Sequence, residues 1–183
     1  MNFNFDPFSP STDHSGPTPK PLGVGLLTVS DSRGLDTDTS GALLQKFVES
    51  AGHRLEFRRI VPDDVSAIRS VVCDAMLSES CAALLITGGT GITQRDVTPE
   101  ALEPLVTKQI LGFGELFRQL SYEQIGAATI QSRAQAGLCG NTLVFALPGS
   151  TGAVRLAVEK ILWPQLDVRQ KPCNFAQLLP RVG

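Results

Sequence analysis

The apolar run Ala82-Ala83-Leu84-Leu85-Ile86 breaks directly into Thr87-Gly88-Gly89-Thr90-Gly91. The chain then passes Asp96 and reaches Thr98-Pro99-Glu100-Ala101. A short, continuous apolar run of this kind is the pattern of a strand covered on both faces, as in a parallel sheet. Three glycines in four positions permit φ > 0 and let the backbone approach a ligand closely. Thr98 has the chemistry of an N-cap, Pro99 suits the first helical position and Glu100 suits the first turn. A loop between a strand end and a helix start, rich in N–H groups, is a candidate anion site. With Thr98 read as the cap, Asp96 has no structural duty and becomes a candidate functional carboxylate.

The same alternation of strand and helix runs through the chain from Leu22. Residues 23–30 (GVGLLTVS) read as a buried strand and Asp31 to Asp38 as a polar loop. Thr39 to Ser50 reads as a helix with Leu43, Leu44, Phe47 and Val48 on one face. His53 to Val61 alternates as a strand, and Pro62-Asp63-Asp64 opens a helix to about Ser78. A strand over 82–86 and a helix over 99–106 follow. Gly112-Phe113-Gly114 reads as a break before a helix over 115–125. Gly140-Asn141 is a hairpin signal between strands over 134–139 and 142–146. A last helix starts at Thr151, and Pro164 is expected to stop it. Strands spaced by helices predict an α/β fold with helices on both faces of a mostly parallel sheet, made mixed by the hairpin. Residues 1–21, rich in Pro, Ser, Asn and Asp, read as a flexible tail before one domain over 22–183. Phe3, Phe5 and Phe8 give that tail a means of docking on a neighbouring subunit, with simple disorder as the alternative.

A chain of 183 residues that is 42% hydrophobic is large enough for one well-buried domain. Its net charge of −2 creates no field that would gather nucleic acid or an anionic membrane. No apolar run approaches the roughly 20 residues of a membrane span, and the N-terminal order is not that of a signal peptide. Cys73, Cys81, Cys139 and Cys173 are scattered, and His14 and His53 are the only histidines, which argues against a zinc site. Reduced, structural thiols in a cytoplasmic protein are the expectation.

Three strand ends carry loops of one character: Ser30-Asp31-Ser32 with Asp36 and Asp38 beyond, then Gly88 to Asp96, then Pro148-Gly149-Ser150-Thr151. In open α/β sheets ligands bind beyond the carboxyl ends of strands, so these loops should converge on one crevice. Backbone donors and hydroxyls suit phosphate oxygens, while carboxylates suit magnesium held on phosphate. Nucleotidyl transfer needs little more than this positioning and charge neutralisation. The loop is neither a P-loop, lacking Gly-Lys-[Ser/Thr], nor a dinucleotide fingerprint, lacking Gly-x-Gly-x-x-Gly. A Ser-His-Asp hydrolase has little support, since neither Ser30 nor Ser150 sits in a nucleophile elbow. Arg58-Arg59 reads as an ordinary solvated pair, and Phe113 and Phe117 as core or interface residues.

The stretch Thr87-Gly88-Gly89-Thr90-Gly91-Ile92-Thr93-Gln94-Arg95-Asp96-Val97-Thr98-Pro99-Glu100-Ala101 resembles the signature of the MoaB/MogA family of molybdenum cofactor biosynthesis. The likeness continues through Gly112 to Arg118, Gln131-Ser132-Arg133-Ala134 and Phe145 to Ser150. It closes with Pro164 to Asp167 and Arg169 to Phe175, where Pro172-Cys173-Asn174-Phe175 looks like the MoaB branch.

The resemblance implies a three-layer α/β/α fold that binds molybdopterin, a pterin dithiolene with a terminal phosphate. It implies adenylylation of molybdopterin with Mg-ATP, which yields adenylyl-molybdopterin and pyrophosphate, and later exchange by a molybdate-inserting partner protein. It also implies a homo-oligomer, a hexamer before a trimer. Carried over by motif, Asp96, Asp31 and Asp63 are the expected catalytic residues, with Asp96 and Asp31 at Mg2+. Gly88, Gly89, Thr90, Gly91 and Ser30 are expected at bound phosphate, and Gly149 and Ser150 at the terminal phosphate of molybdopterin. Some MoaB-branch proteins resemble this chain but lack adenylylating activity, and their loop departs from Arg-Asp-Val-Thr-Pro. That sequence is intact here at Arg95 to Pro99. Two alternatives stand beside the enzyme: a molybdopterin- or nucleotide-binding protein without turnover, and a scaffold for other cofactor enzymes.

Overall fold

A computed structural model describes residues 21–179. The tail read over 1–21, with Phe3, Phe5 and Phe8, therefore lies almost wholly outside the described residues. The elements run β1 (Gly23–Val29), α1 (Thr39–Ser50), β2 (Arg54–Val61), α2 (Val65–Leu77), β3 (Ala83–Thr87), α3 (Thr98–Leu102) and β4 (Lys108–Gln109). Then come α4 (Leu111–Ile125), a 3-10 turn (Gly126–Gln131), β5 (Gln135–Cys139), β6 (Thr142–Leu147) and α5 (Thr151–Ala157). A π turn (Val158–Leu162), α6 (Trp163–Leu166) and α7 (Phe175–Leu178) complete the chain.

The six strands form one sheet in the order β2-β1-β3-β6-β5-β4. The first four are parallel, while β5 runs antiparallel to β6 and β4 antiparallel to β5. This is the mixed α/β/α sheet the sequence predicts. The central strands are wholly buried because alternate residues feed two cores. Leu26 and Leu85 join α1, α4 and α5 on one face, and Leu27, Leu84 and Ile86 join α2 and α3 on the other. The period of two along each strand makes that division, and it explains why these strands read as unbroken apolar runs. From β1 the chain moves outward to β2, then crosses back to β3 on the other side of β1. The carboxyl ends of β1 and β3 therefore flank a topological switch point.

Three boundaries differ from the sequence expectation. Helix α4 starts at Leu111 and runs straight through Gly112-Phe113-Gly114. A Cβ on Gly114 would lie 2.6 Å from the Ala134 carbonyl oxygen, so this glycine serves close packing inside the helix and does not break it. The last helix is not stopped by Pro164. A π turn precedes it, with the Trp163 N–H reaching back to the Val158 carbonyl, and the chain stays helical to Leu166. The wider turn sits where the proline ring would crowd an ordinary helix. Finally, α3 ends at Leu102 and not near Val106.

Candidate functional site

The loops after β1, β3 and β6 do converge. With the C-terminal half of α4 and the 3-10 turn they enclose an open crevice of about 600 Å³. Of the sequence-predicted residues, Ser30, Asp63, Gly88, Gly89, Thr90, Gly91, Asp96, Gly149 and Ser150 line it. Asp31 does not. It stands beside the crevice, in an ion pair with the Arg95 guanidinium, and accepts a hydrogen bond from the Asp63 N–H at 3.2 Å.

Two of the glycines are fixed by sterics. Gly88 has φ 108°, and a Cβ there would lie 2.1 Å from the Val29 carbonyl oxygen. Gly89 has φ 64°, and a Cβ there would meet the Thr98 hydroxyl at 2.5 Å. The Gly88 N–H is already donated to the Leu147 carbonyl and the Gly91 N–H to Asp96. Among the four loop residues, Gly89 and Thr90 thus keep N–H groups without a partner among the described residues. The cradle is narrower than the glycine count suggests.

Thr98 is not the cap of α3. The N-cap position falls on Val97, and the Thr98 hydroxyl donates to the Gly88 carbonyl at 2.9 Å, tying the helix start to the strand end. Asp96, in turn, does have a structural duty. Its Oδ2 accepts from the Thr93 N–H at 2.9 Å and the Thr93 hydroxyl at 2.6 Å. Burial works to raise its carboxyl, but these bonds, the Gly91 N–H and the Arg133 charge together hold it below the usual value. Asp96 is therefore ionised and held in place on one wall of the crevice.

Asp63 has the opposite setting. Its carboxylate accepts no hydrogen bond among the described residues and lies against Gly89, whose Cβ position is 3.0 Å from Oδ1. Burial, and then the charge of Asp96, push its carboxyl above the ordinary value. An unpartnered, half-buried carboxylate beside a second carboxylate in a cleft is the electrostatic pattern of a functional site. No group of three or more His, Cys, Asp or Glu side chains stands together among the described residues. A pair of carboxylates without a cage still fits Mg2+ that arrives on phosphates, since that ion takes one or two carboxylates and keeps its other ligands from substrate and water.

Asp38, read in the first of the three loops, does not reach the crevice. Asp38 turns inward and caps α1, accepting from the Gly41 N–H, the Thr28 hydroxyl and Arg58. Arg58 is accordingly no solvated side chain, although Arg59 is half-exposed and pairs with Asp74. Phe113 and Phe117 are buried in the core, as expected.

Two arginines were missed. Arg33 lines the crevice and donates to the Gly149 carbonyl at 3.2 Å, beside Ser40, whose hydroxyl reaches the same oxygen at 2.8 Å. Arg133 donates to the carbonyls of Gly91 (2.6 Å) and Asp96 (2.7 Å) and pairs with Glu100, while its own N–H bonds Thr90. Arg33 follows Ser30 by three residues, and Arg133 lies in the Gln131–Ala134 segment, so position in the motifs was the available signal. The wall built from Ser121, Ile125 and Thr129 had no such signal.

Residues 25–168 match the family described as a probable molybdopterin binding domain. The chain is 50% identical over 155 residues to molybdenum cofactor biosynthesis protein B of Escherichia coli K12, covering 85% of this chain and 91% of that protein. The corresponding protein of Bacillus subtilis is 46% identical, covering 84% and 91%. Among solved structures, the tungsten cofactor synthesizing protein MoaB of Pyrococcus furiosus superposes with a TM-score of 0.74 at 34% identity, covering 90% of this chain and 98% of that one. A structure of molybdenum cofactor biosynthesis protein B gives a TM-score of 0.79 at 45% identity, covering 82% and 94%. With its fold, its three-loop crevice and these relatives in agreement, the chain belongs to the MoaB/MogA family of molybdenum cofactor biosynthesis proteins.

Proposed function

We propose that this protein binds molybdopterin in the crevice and adenylylates it with Mg-ATP. The observation that carries the reading is the Asp63 carboxylate, without a hydrogen-bond partner among the described residues, lining together with Asp96 a crevice that also offers phosphate donors. A carboxylate without an internal partner is kept for something that arrives from outside. The crevice volume of about 600 Å³ is within the range of small-molecule sites.

In the proposed reaction a terminal phosphate oxygen of molybdopterin attacks the α-phosphorus of ATP. The bond to the bridging oxygen breaks, and pyrophosphate leaves. Asp63 and Asp96 would hold Mg2+, which supplies charge neutralisation at the phosphates. The free N–H groups of Gly89 and Thr90 bind phosphate oxygens, and the Ser150 hydroxyl orients the terminal phosphate. Arg133 holds the loop that carries Asp96. The apolar patch of Ile125 and Ala128 on the crevice lining suits a pterin ring face.

Incubating the full chain with molybdopterin, Mg-ATP and a pyrophosphate reporter should give steady pyrophosphate release and adenylyl-molybdopterin. A tight molybdopterin complex with no pyrophosphate would replace this reading with binding alone. That second reading has its own support, since Asp31 is committed to Arg95 and Asp96 to Thr93. We also propose a homo-oligomer, supported by exposed Tyr122 and Ile130 on α4 and the 3-10 segment. Sedimentation at micromolar concentration reads its size.

A further inference from the structure

The crevice is electrically polar. Asp63 and Asp96 stand beside the glycine loop, while Arg33 lines the part formed by Ser30, Ser32, Gly149 and Ser150. Arg33 is the only basic side chain on the crevice lining, and it has no ion pair among the described residues. Most other arginines do have a carboxylate partner, including Arg58, Arg95 and Arg133. A guanidinium carries five N–H donors in a planar fork. Here one nitrogen, Nη1, is fixed by the Gly149 carbonyl at 3.2 Å and the Ser40 hydroxyl at 3.4 Å. The Nε and Nη2 donors have no partner among the described residues. The side chain is half-buried and held at one end, with a charge that no carboxylate pairs among the described residues.

We infer that Arg33 is the specificity-determining cation of the crevice: it binds a terminal phosphomonoester and so fixes which way round the ligand lies. The inference rests on the proposed function for the identity of that ligand, but not for the chemistry of recognition. The Arg33 guanidinium offers donors to a dianion, and the Ser30 and Ser150 hydroxyls, whose oxygens accept from backbone N–H groups, can turn their O–H toward it. The Asp63–Asp96 part repels a free dianion and accepts phosphate only when a cation accompanies it. A phosphate-bearing pterin and a magnesium nucleotide are thereby sorted to different parts of one crevice. The fork geometry matters as well as the charge, because two parallel N–H donors match two phosphate oxygens.

The test uses inorganic phosphate as the probe, titrated calorimetrically into the full chain, with Mg-ATP titrated separately. Arg33→Gln should weaken phosphate binding about 10- to 100-fold, the range of a charge-assisted hydrogen bond. It should also flatten the dependence of that binding on salt. Arg33→Lys should restore the salt dependence but only part of the affinity. A purely structural role would not produce that split. Mg-ATP affinity should stay unchanged in both variants. Unchanged phosphate affinity in Arg33→Gln overturns the inference, as does absence of phosphate binding by the wild-type chain. Equal weakening of phosphate and Mg-ATP overturns the sorting of ligands. Arg33-dependent phosphate binding without pterin adenylylation leaves this inference standing and removes the proposed function. Adenylylation with Arg33→Gln as effective as wild type does the reverse.

Discussion

Asp38 and Asp63 both lie near the carboxyl ends of the parallel strands β1 and β2, yet their surroundings make them opposites. Asp38 is 1% exposed and surrounded by donors: the Gly41 N–H at 2.8 Å, the Thr28 hydroxyl at 2.7 Å and Arg58 at 3.0 Å. Burial works to raise its carboxyl, but those donors hold it below the ordinary value. Asp63 is half-buried with no donor among the described residues, and its carboxyl is pushed up. Burial with donors builds structure: Asp38 caps α1 and closes the β1–α1 loop. Burial without donors holds a charge ready for a ligand at the expense of the folded state. The first loop offers Asp31, Asp36 and Asp38 alike and Asp63 enters only through the resemblance, so it is the local donors that separate Asp38 from Asp63.

The largest effect that tests this contrast is on turnover. Asp63→Asn should lower pyrophosphate release by about a thousandfold, as for removal of a group that stabilises transition-state charge, while molybdopterin binding changes little. Near wild-type turnover would remove Asp63 from the proposed site. Asp38→Ala should do the converse. It leaves the Arg58 guanidinium, whose Nε is already without a partner, buried beside a lost charge. The expected loss is about 3 kcal/mol in urea unfolding, with turnover per folded molecule retained. The Asp38 contribution should be full above the ordinary value of 3.8 and lost as pH falls through the lower folded value. Stability curves of wild type and Asp38→Ala should therefore converge in acid.

The fold was legible because its signals are local and redundant. Apolar runs, Gly and Pro punctuation and a hairpin turn each pointed to the same sheet. The errors fell where a tertiary contact overrides local chemistry. Gly114 looks like a breaker until the Ala134 carbonyl is placed against it, and Pro164 looks like a stop until the preceding π turn makes room. At the site, the residue types and the three loops were readable, but the direction of each side chain was not. Thr98 has the chemistry of a cap yet bonds back to Gly88. Arg33 and Arg133 act through backbone carbonyls of loops far along the chain, and a sequence carries no mark of such bonds. The wall from α4 and the 3-10 turn was invisible for the same reason.

A smaller effect tests how the Asp96 loop is held. Arg133 bonds the carbonyls of Gly91 and Asp96 and pairs with Glu100, so it spans the loop from both ends. Lysine keeps the charge but cannot reach three acceptors in a plane. Arg133→Lys should reduce kcat about tenfold, with about 1 kcal/mol lost from stability for the missing bonds. KM for molybdopterin should hardly move, since Arg133 acts through the loop and not on the ligand. A rise in KM at constant kcat would instead make it a binding residue.

The smallest effect is the most direct test of the contrast, because it predicts a gain. The folded chain holds the Asp63 proton more tightly than the unfolded chain does, since the folded value is raised above 3.8. Between those two values the native state binds more protons, so stability falls as pH rises through the window and stays lower above it. Asp63→Asn removes the charge and the repulsion from Asp96 together. The variant that loses turnover should therefore melt about 2 °C higher than wild type at neutral pH. The gap should close below pH 3.8, where Asp63 is protonated in both states. Thermal melts of the two chains at neutral pH and in acid measure it. A variant less stable than wild type at neutral pH would mean that the Asp63 carboxylate supports the fold after all, and that Asp38 and Asp63 do the same work.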